Sequence, residues 1–240
     1  MIRANLMTRK QNKDLGEHIA YEQNGSSIYE NIVDTSFEGA LKEESKLDEW
    51  VLDMQGMSGK CFRHFLNNLA SKMRDCRYLE IGSWKGSTTI AFGYDNPHAD
   101  MTICDNWSLF GGPEKEFHHH LNRMHTQCRH NKISFHNEDF RKLKLYRKYN
   151  VYFFDGPHEE KDQFDGLHLM LKYMNDEFIF IVDDYNWVDR VQAGTKRAIR
   201  RNELTVLKSI ELTTTCGGHG KDTRWHNGIG IFIMKKRQQQ

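Results

Sequence analysis

The sequence lacks the features typical of secreted, membrane-spanning and disulfide-stabilised chains. No apolar run approaches the length of a membrane span, and the beginning of the chain contains no apolar signal-peptide core. Its cysteines are odd in number, widely scattered and without a C-x-x-C pair, which disfavours both a disulfide framework and a zinc site. They are Cys61, Cys76, Cys104, Cys128 and Cys216. We therefore expect a cytoplasmic protein with reduced thiols and no membrane association.

An excess of one charge sign is also missing. The chain has 34 basic and 33 acidic side chains and a net charge of +1. It therefore lacks the clustered basic excess that binding to a nucleic-acid backbone requires, and a nucleic-acid partner is disfavoured. With 240 residues, of which 38% are hydrophobic and 28% charged, the composition predicts one globular domain with a substantial core.

From Ser58 onward, predicted strands and helices alternate. Residues 58–73 carry apolar side chains at helical spacing, and Ser58 is the expected N-cap of this helix. Further helices are predicted at 86–94, 113–129, 159–174 and 190–202, and strands at 77–81, 101–104, 132–136, 151–154, 178–182, 205–212 and 228–234. This order predicts an α/β fold: a mostly parallel, seven-stranded, Rossmann-like sheet with helices on both faces. The last two strands have no helix between them and are expected to form an antiparallel hairpin.

The first 57 residues are polar and only weakly periodic. We interpret 1–57 as an N-terminal extension and 58–236 as the folded domain. The alternatives for the extension are a simple, partly disordered tail and a lid over the active site.

Acidic residues stand at or just after the ends of successive predicted strands. They are Glu80, Asp105, Asp139, Asp155, Asp183 and Asp184. In open α/β sheets, ligands bind at the carboxyl ends of the strands. Helix capping can explain one or two such acids, but a series along five strands favours a binding site.

The loop after the first predicted strand is rich in glycine and serine. Glu80 and Gly82 are followed by Ser83, Gly86 and Ser87. Gly82 allows a tight turn close to a ligand, Gly86 opens the next helix, and the two serines add hydrogen-bond donors. The spacing E-x-G-x-x-x-G differs from the dinucleotide pattern G-x-G-x-x-G, which disfavours a nicotinamide oxidoreductase.

Two further strand ends complete the expected ligand site. Asp105 is placed where such folds hold ribose hydroxyls, and Glu138 and Asp139 end the next strand, where an adenine amino group would lie. Trp107 has two alternatives, which remain open: stacking on adenine or packing in the core.

The segment Leu79-Glu80-Ile81-Gly82-Ser83-x-x-Gly86-Ser87-Thr88 resembles the first motif of class I methyltransferases. With Asp105 and Asp139, the resemblance implies a site for S-adenosylmethionine (SAM). It implies that Glu80 supports the glycine loop and that the backbone from Gly82 to Trp84 holds the methionine part of the cofactor.

Two later segments point to a cation. Phe153 to His158 contains Asp-Gly-Pro-His, and Ile179 to Trp187 contains Asp183-Asp184. Three carboxylates at adjacent strand ends would repel one another unless protonated or bound to a cation, and oxygen ligands suit Mg²⁺ or another hard divalent cation.

Both segments resemble the macrocin O-methyltransferase-like and cephalosporin-hydroxylase-like branch of small-molecule methyltransferases. This resemblance implies that Asp155, Asp183 and Asp184 are metal ligands and that His158 is the general base. Asp155 is also expected to contribute to catalysis and to the cofactor site. The alternatives are a helix-start histidine without a catalytic task and a capping role for Asp184.

The predicted function is therefore SAM-dependent, divalent-metal-assisted O-methylation of a small molecule, either a sugar diol or a catechol-like acceptor. The alternatives are a degenerate methyltransferase fold that binds without turnover and a methyltransferase acting on a macromolecule. The oligomeric state stays open, a homo-oligomer included.

Overall fold

The structure, a computed structural model, describes residues 8–12, 16–129, 131–215 and 224–237. The side chains of 8–12 are not described, and Cys216 lies outside these ranges. The chain divides into two compact units. The first unit comprises the described parts of 1–30, 150–222 and 226–240, and the second those of 31–149 and 223–225.

The second unit contains five helices and three strands. They are α1 (Glu30–Leu41), α2 (Glu49–Asp53), α3 (Lys60–Lys72), β3 (Arg77–Ile81), α4 (Ser87–Gly93), β4 (Asp100–Cys104), α5 (Glu114–Gln127) and β5 (Lys132–His136). The strands pair in parallel in the order β3-β4-β5. Phe62, Phe65 and Leu66 give α3 its fully covered apolar face, as the helical spacing predicts.

The first unit contains the remaining strands and two helices. They are β1 (Thr8–Asn12), β2 (Glu17–Gln23), β6 (Tyr149–Phe154), α6 (Glu160–Met170), β7 (Met174–Val182), α7 (Ala193–Arg201), β8 (Thr205–Thr214) and β9 (Ile229–Lys235). The strand order is β1-β2-β8-β9-β7-β6. The pairs β1/β2, β2/β8, β8/β9 and β7/β9 are antiparallel.

The predicted fold class and the antiparallel hairpin, formed by β8 and β9, are confirmed. The predicted number of strands is wrong, because the described residues form nine strands instead of seven. The two additional strands are β1 and β2, and β2 adds to β8 with Ile19 opposite Leu212. In β2 only Glu17 and Ile19 are buried, so the segment carries too little apolar alternation to be recognised.

The predicted cap of α3 is also wrong. Gly59 is the N-cap residue and makes no side-chain capping hydrogen bond. The Ser58 hydroxyl instead lies 2.9 Å from the Ser87 hydroxyl and accepts a hydrogen bond from Arg63 Nε. None of the described helices has the length and apolar character needed to cross a membrane.

Candidate functional site

The glycine loop after β3 takes a backbone path that favours glycine at both predicted positions. Gly82 and Gly86 have φ angles of 86° and 85°, in the left-handed region. The Gly86 amide closes the turn by donating to the Ser83 carbonyl at 2.7 Å. A Cβ atom on Gly86 would lie 2.8 Å from Phe117 Cδ2. Position 86 therefore needs glycine for its backbone conformation and for the close approach of α5.

Glu80 lies beneath this loop and is fully buried. Its carboxylate accepts hydrogen bonds from the hydroxyls of Tyr78 at 2.9 Å, Thr88 at 2.6 Å and Thr89 at 2.9 Å. The two threonines belong to the first turn of α4, so Glu80 fixes the start of that helix to β3. This arrangement suits the supporting role that the resemblance implies.

Asp105 connects the loops after β3 and β4. One carboxylate oxygen accepts from the backbone amides of Ser83 at 2.9 Å and Trp84 at 2.8 Å, and the other accepts from the Trp107 amide at 2.7 Å. A carboxylate has about four lone-pair sites, so Asp105 retains capacity for a ligand hydroxyl. Sequence reasoning placed Asp105 at the cofactor site but did not predict that it holds the glycine loop.

The two tryptophans of the predicted site pack against protein groups. Trp107 is only 8% exposed and stacks on Phe135 with a centroid distance of 4.7 Å. Its Nε1 donates to the Trp84 carbonyl at 3.0 Å, while Trp84 Nε1 donates to the Phe110 carbonyl at 3.1 Å. These contacts agree with the core alternative for Trp107, and adenine stacking by it stays a prediction.

The hydroxyl of Ser83 is a polar group suited to a bound ligand. It is buried and makes no hydrogen bond to any described residue. Because a buried polar group without a partner costs free energy, a ligand oxygen or ammonium group would stabilise it. Asp139, after β5, accepts from the Arg141 amide at 2.9 Å and caps the short 3₁₀ turn that follows. Among the predicted cofactor residues of the second unit, Ser83 thus has a buried hydroxyl that a ligand could satisfy.

The first unit brings Asp155, His158 and Asp184 together. One possible ligand atom from each lies within 4.8 Å of the others. His158 Nε2 is 2.6 Å from Asp184 Oδ2 and 3.7 Å from Asp155 Oδ1. Two carboxylates and an imidazole at these distances are a donor set that divalent metals accept.

Strand ends and one turn position this cluster. Asp155 follows β6, and Asp184 stands after β7 with a φ of 55°. The amide of Trp187 donates to the Asp184 carbonyl at 3.0 Å, and the Asn227 side-chain amide donates to the Asp184 carboxylate. Trp187 also packs its ring edge-on to His158 with the centroids 5.0 Å apart. Sequence reasoning assigned no role to Trp187, although it ends the segment 179–187, and it missed Asn227, which belongs to no recognisable motif.

Asp183 behaves differently from Asp184. It is 4% exposed, and its Oδ1 accepts from the Asp184 amide at 2.8 Å. It is not part of the three-residue cluster found among the described residues. Burial, with further repulsion from Asp155 and Asp184, raises the pKa of Asp183 well above its ordinary value. Its predicted role as a metal ligand stays a prediction.

The charges of the cluster depend on one another. Burial alone would lower the pKa of His158, but the carboxylates of Asp155 and Asp184 outweigh burial and raise it to about 10. Burial would raise the pKa of Asp184, but the hydrogen bond and the charge of His158 lower it below its ordinary value. Without a cation, His158 is therefore an imidazolium at neutral pH.

The chain is similar to known proteins in part of its sequence and in its fold. Residues 79–185 match the family model of a methyltransferase domain. No curated protein matches the sequence. A similar solved structure is the O-methyltransferase TomG from Streptomyces achromogenes, involved in tomaymycin synthesis and bound to SAM. Its TM-score is 0.57 at 14% identity, with 88% of this chain and 100% of that chain covered.

Two other solved structures are similar. The O-methyltransferase from Bacillus cereus, in complex with S-adenosylhomocysteine (SAH), has a TM-score of 0.54 at 14% identity and covers 84% of this chain and 91% of its own. TrmN from Thermus thermophilus has a TM-score of 0.55 at 13% identity, with 78% of this chain covered. This chain spans only 52% of the length of TrmN.

At these identities the solved structures show the fold alone, and the family model matches a methyltransferase domain over less than half of the chain. The predicted class I methyltransferase fold is thereby confirmed, and the match over 79–185 supports the prediction of a SAM-dependent methyltransferase.

Proposed function

We propose that this chain transfers a methyl group from SAM to a hydroxyl oxygen of a small molecule, with a divalent cation held by Asp155 and Asp184. The grouping of Asp155, His158 and Asp184 carries this proposal. TomG and the Bacillus cereus protein, two structures of this fold, are both O-methyltransferases. Their names support oxygen as the atom methylated.

The second unit supplies the groups for the cofactor. Bound SAM would provide the electrophilic methyl group. Ser83 offers its unsatisfied hydroxyl to the ligand, Asp105 offers its remaining lone pairs to hydroxyl groups, and Glu80 keeps the loop in place through α4. Fixed positioning of reactants is a large part of the rate enhancement in such transfers.

The first unit supplies the groups for the acceptor. A cation bound there would polarise the acceptor oxygens and lower the pKa of a coordinated hydroxyl. The same positive charge on Asp155 and Asp184 would remove the interaction that raises the pKa of His158. The imidazole would then return toward its ordinary pKa near 6.5 and accept the hydroxyl proton at neutral pH.

The acceptor class follows from the coordination chemistry. Hard divalent cations bind six or more oxygen ligands, so two protein carboxylates leave several positions for others. Two neighbouring hydroxyls of one molecule can occupy two of these positions as a chelate. We infer a vicinal diol of a sugar or a catechol as the acceptor.

Calorimetric titration of the full chain with SAM, before and after EDTA and with added Mg²⁺, tests the cofactor and cation together. We expect micromolar SAM binding and a separate cation signal. Methyl transfer to catechol is then compared with transfer to phenol, which has a single hydroxyl. Turnover on catechol that persists in EDTA would contradict the role of the cation, and equal turnover on phenol would contradict the diol.

A further inference from the structure

Arg63, in α3, is a buried cation whose hydrogen-bond partners are all neutral. It is 3% exposed. Its Nη1 donates to the carbonyls of Val51 at 2.8 Å, Leu52 at 3.1 Å and Met54 at 2.9 Å, and its Nε donates to the Ser58 hydroxyl at 3.0 Å. These bonds hold the end of α2, but among the described residues they leave the positive charge without a counterion.

No carboxylate of the described residues forms an ion pair with Arg63. The acid whose charge reaches it is Asp53, and that carboxylate pairs with Lys60 Nζ at 2.5 Å. Burial lowers the pKa of Arg63 to about 10, against the opposing attraction of Asp53. Burying a charge without a partner is costly, so an anion bound beside Arg63 would be strongly favoured.

The surroundings of the guanidinium provide further donors. Nη2 makes no hydrogen bond to any described residue. The Ser58 hydroxyl lies 2.9 Å from the hydroxyl of Ser87, which follows the glycine loop. A Cβ atom on Gly56 would lie 2.9 Å from Arg63 Nη2 and 2.2 Å from Ser87 Oγ, so Nη2 and the Ser87 hydroxyl lie close to each other and leave no room for a side chain at position 56.

We propose that Arg63, together with Ser58 and Ser87, binds the α-carboxylate of the methionine part of the cofactor. This inference rests on the proposed function, since it assumes that SAM binds at the glycine loop. A guanidinium binds a carboxylate through directed, charge-assisted hydrogen bonds, and hydroxyl donors complete its coordination. The bound carboxylate neutralises the buried charge.

The test compares two ligands that differ only in this group: SAH and its decarboxylated analogue, S-adenosyl-3-thiopropylamine. Calorimetry on the full wild-type chain should give SAH at least about tenfold tighter binding than the analogue, the range expected for hydrogen bonds to a charged group. In Arg63→Gln, which keeps a donor near the position of Nε but removes the charge, the preference should fall to about twofold. The affinity for the analogue should stay nearly the same.

Asn68→Ala is the matched control. Asn68 lies in the same helix and donates to the Glu44 carbonyl at 2.7 Å, so its loss weakens packing without removing a charge. The preference for SAH should persist in this variant. The proposal would be overturned if Arg63→Gln lost affinity for SAH and for the analogue equally, or if Asn68→Ala lost the preference for SAH. Either result would show that Arg63 acts only through structure.

The wild-type comparison needs no variant and can therefore overturn the proposal even if Arg63→Gln fails to fold. If the wild-type chain binds both ligands equally, the carboxylate site is wrong while the proposed function stands. If it binds neither, the proposed function fails and this inference with it.

Discussion

At the residue scale, the two neighbouring carboxylates of the cluster change the pKa of His158. Its imidazole lies 2.6 Å from one carboxylate oxygen of Asp184 and 3.7 Å from one of Asp155. Its pKa in the metal-free fold is raised above the unfolded value of about 6.5. The interaction of His158 with these two carboxylates therefore stabilises the fold fully below about pH 6.5. Its contribution to the free energy of unfolding disappears as the pH rises through about 10.

Removing one carboxylate should lower the pKa of His158. In metal-free wild type, the His158 ring signals in NMR spectra should not titrate between about pH 5.5 and 8. In Asp184→Asn the pKa should fall by roughly one to two units, because one of two nearby charges is gone. Glu159→Gln is the control, since Glu159 pairs with Arg190 instead. A wild-type midpoint near 6.5 would contradict the geometry of the cluster.

Asp100, at the start of β4, gives the second unit a pH-dependent contact. Burial would raise its pKa, but Arg147 and Lys132 lower it below its ordinary value. Because the folded-state pKa is the lower one, the stabilisation is present above the unfolded pKa of about 4. It is lost as the pH falls through the folded-state pKa.

We expect Asp100→Asn to reduce the free energy of unfolding by about 1–2 kcal/mol at pH 7, since it leaves the half-buried Arg147 without its anion. The difference from wild type should shrink as the pH approaches 3. Urea unfolding at pH 7, 5 and 3.5 measures it. Asp75→Asn is the control: Asp75 pairs with Arg77 at 3.0 Å but is 75% exposed, so its effect should stay below about 0.5 kcal/mol. Equal effects at every pH would contradict the assignment.

At the scale of elements, the start of α4 requires glycine at position 86 for two reasons, its backbone conformation and its contact with α5. Gly86 and Gly111 share nearly the same φ, 85° and 84°. A Cβ on Gly86 would lie 2.8 Å from Phe117 Cδ2 in α5, whereas a Cβ on Gly111 would meet nothing within 4 Å. Comparing alanine substitutions at these two positions therefore separates the cost of backbone strain from the cost of the steric conflict with Phe117.

Gly111→Ala should cost about 1 kcal/mol of stability through backbone strain alone. Gly86→Ala should cost roughly 1–3 kcal/mol more, because Phe117 must move, and it should also weaken SAM binding. Thermal unfolding and calorimetry of the two variants measure both effects. Equal destabilisation by the two substitutions would mean that α5 yields to the extra methyl group at no cost.

Helices and strands were predicted correctly where the sequence has a continuous apolar run or a regular apolar spacing, and they were missed where it has neither. The fully buried faces of β6 and β9 and the apolar face of α3 carry strong patterns, and their segments were predicted within a few residues. Strands β1 and β2 were missed because β2 is mostly polar. The cap of α3 was mispredicted because Ser58 bonds to Ser87 and Arg63, which local sequence cannot reveal.

At the scale of the whole molecule, contacts between residues distant in sequence were the least predictable part of the structure. The strand-end rule identified Asp155 and Asp184 because parallel α/β folds place such residues at one edge. The same rule could not reveal that Asn227 bonds to Asp184. Nor could it reveal that Trp225 stacks on Phe37 with a centroid distance of 5.2 Å in the second unit. These partners depend on where the chain returns after β8, for which the sequence has no local signal.

The two units contain different ligand groups, and this division predicts separable losses. Asp155→Asn/Asp184→Asn should abolish Mn²⁺ binding and reduce methyl transfer at least about 100-fold. It should change SAH affinity by no more than about twofold, because the hydrogen bonds by which Asp105 holds the amides of Ser83 and Trp84 stay in place. Asp105→Asn should do the opposite: SAH binding weakens by about tenfold or more, since an amide cannot accept all three backbone N–H groups, while Mn²⁺ binding persists.

Calorimetry for SAH and paramagnetic resonance for Mn²⁺ measure the two affinities on the same preparations. Asp189→Asn is the control, because this exposed acid lies close in sequence to Asp184 but outside the cluster. Both affinities should stay at the wild-type level in that variant. An equal loss of affinity for SAH and for Mn²⁺ in either variant would contradict the assignment of the cation to Asp155 and Asp184 and of the cofactor to the Asp105 loop. The loss would then reflect a general weakening of the fold.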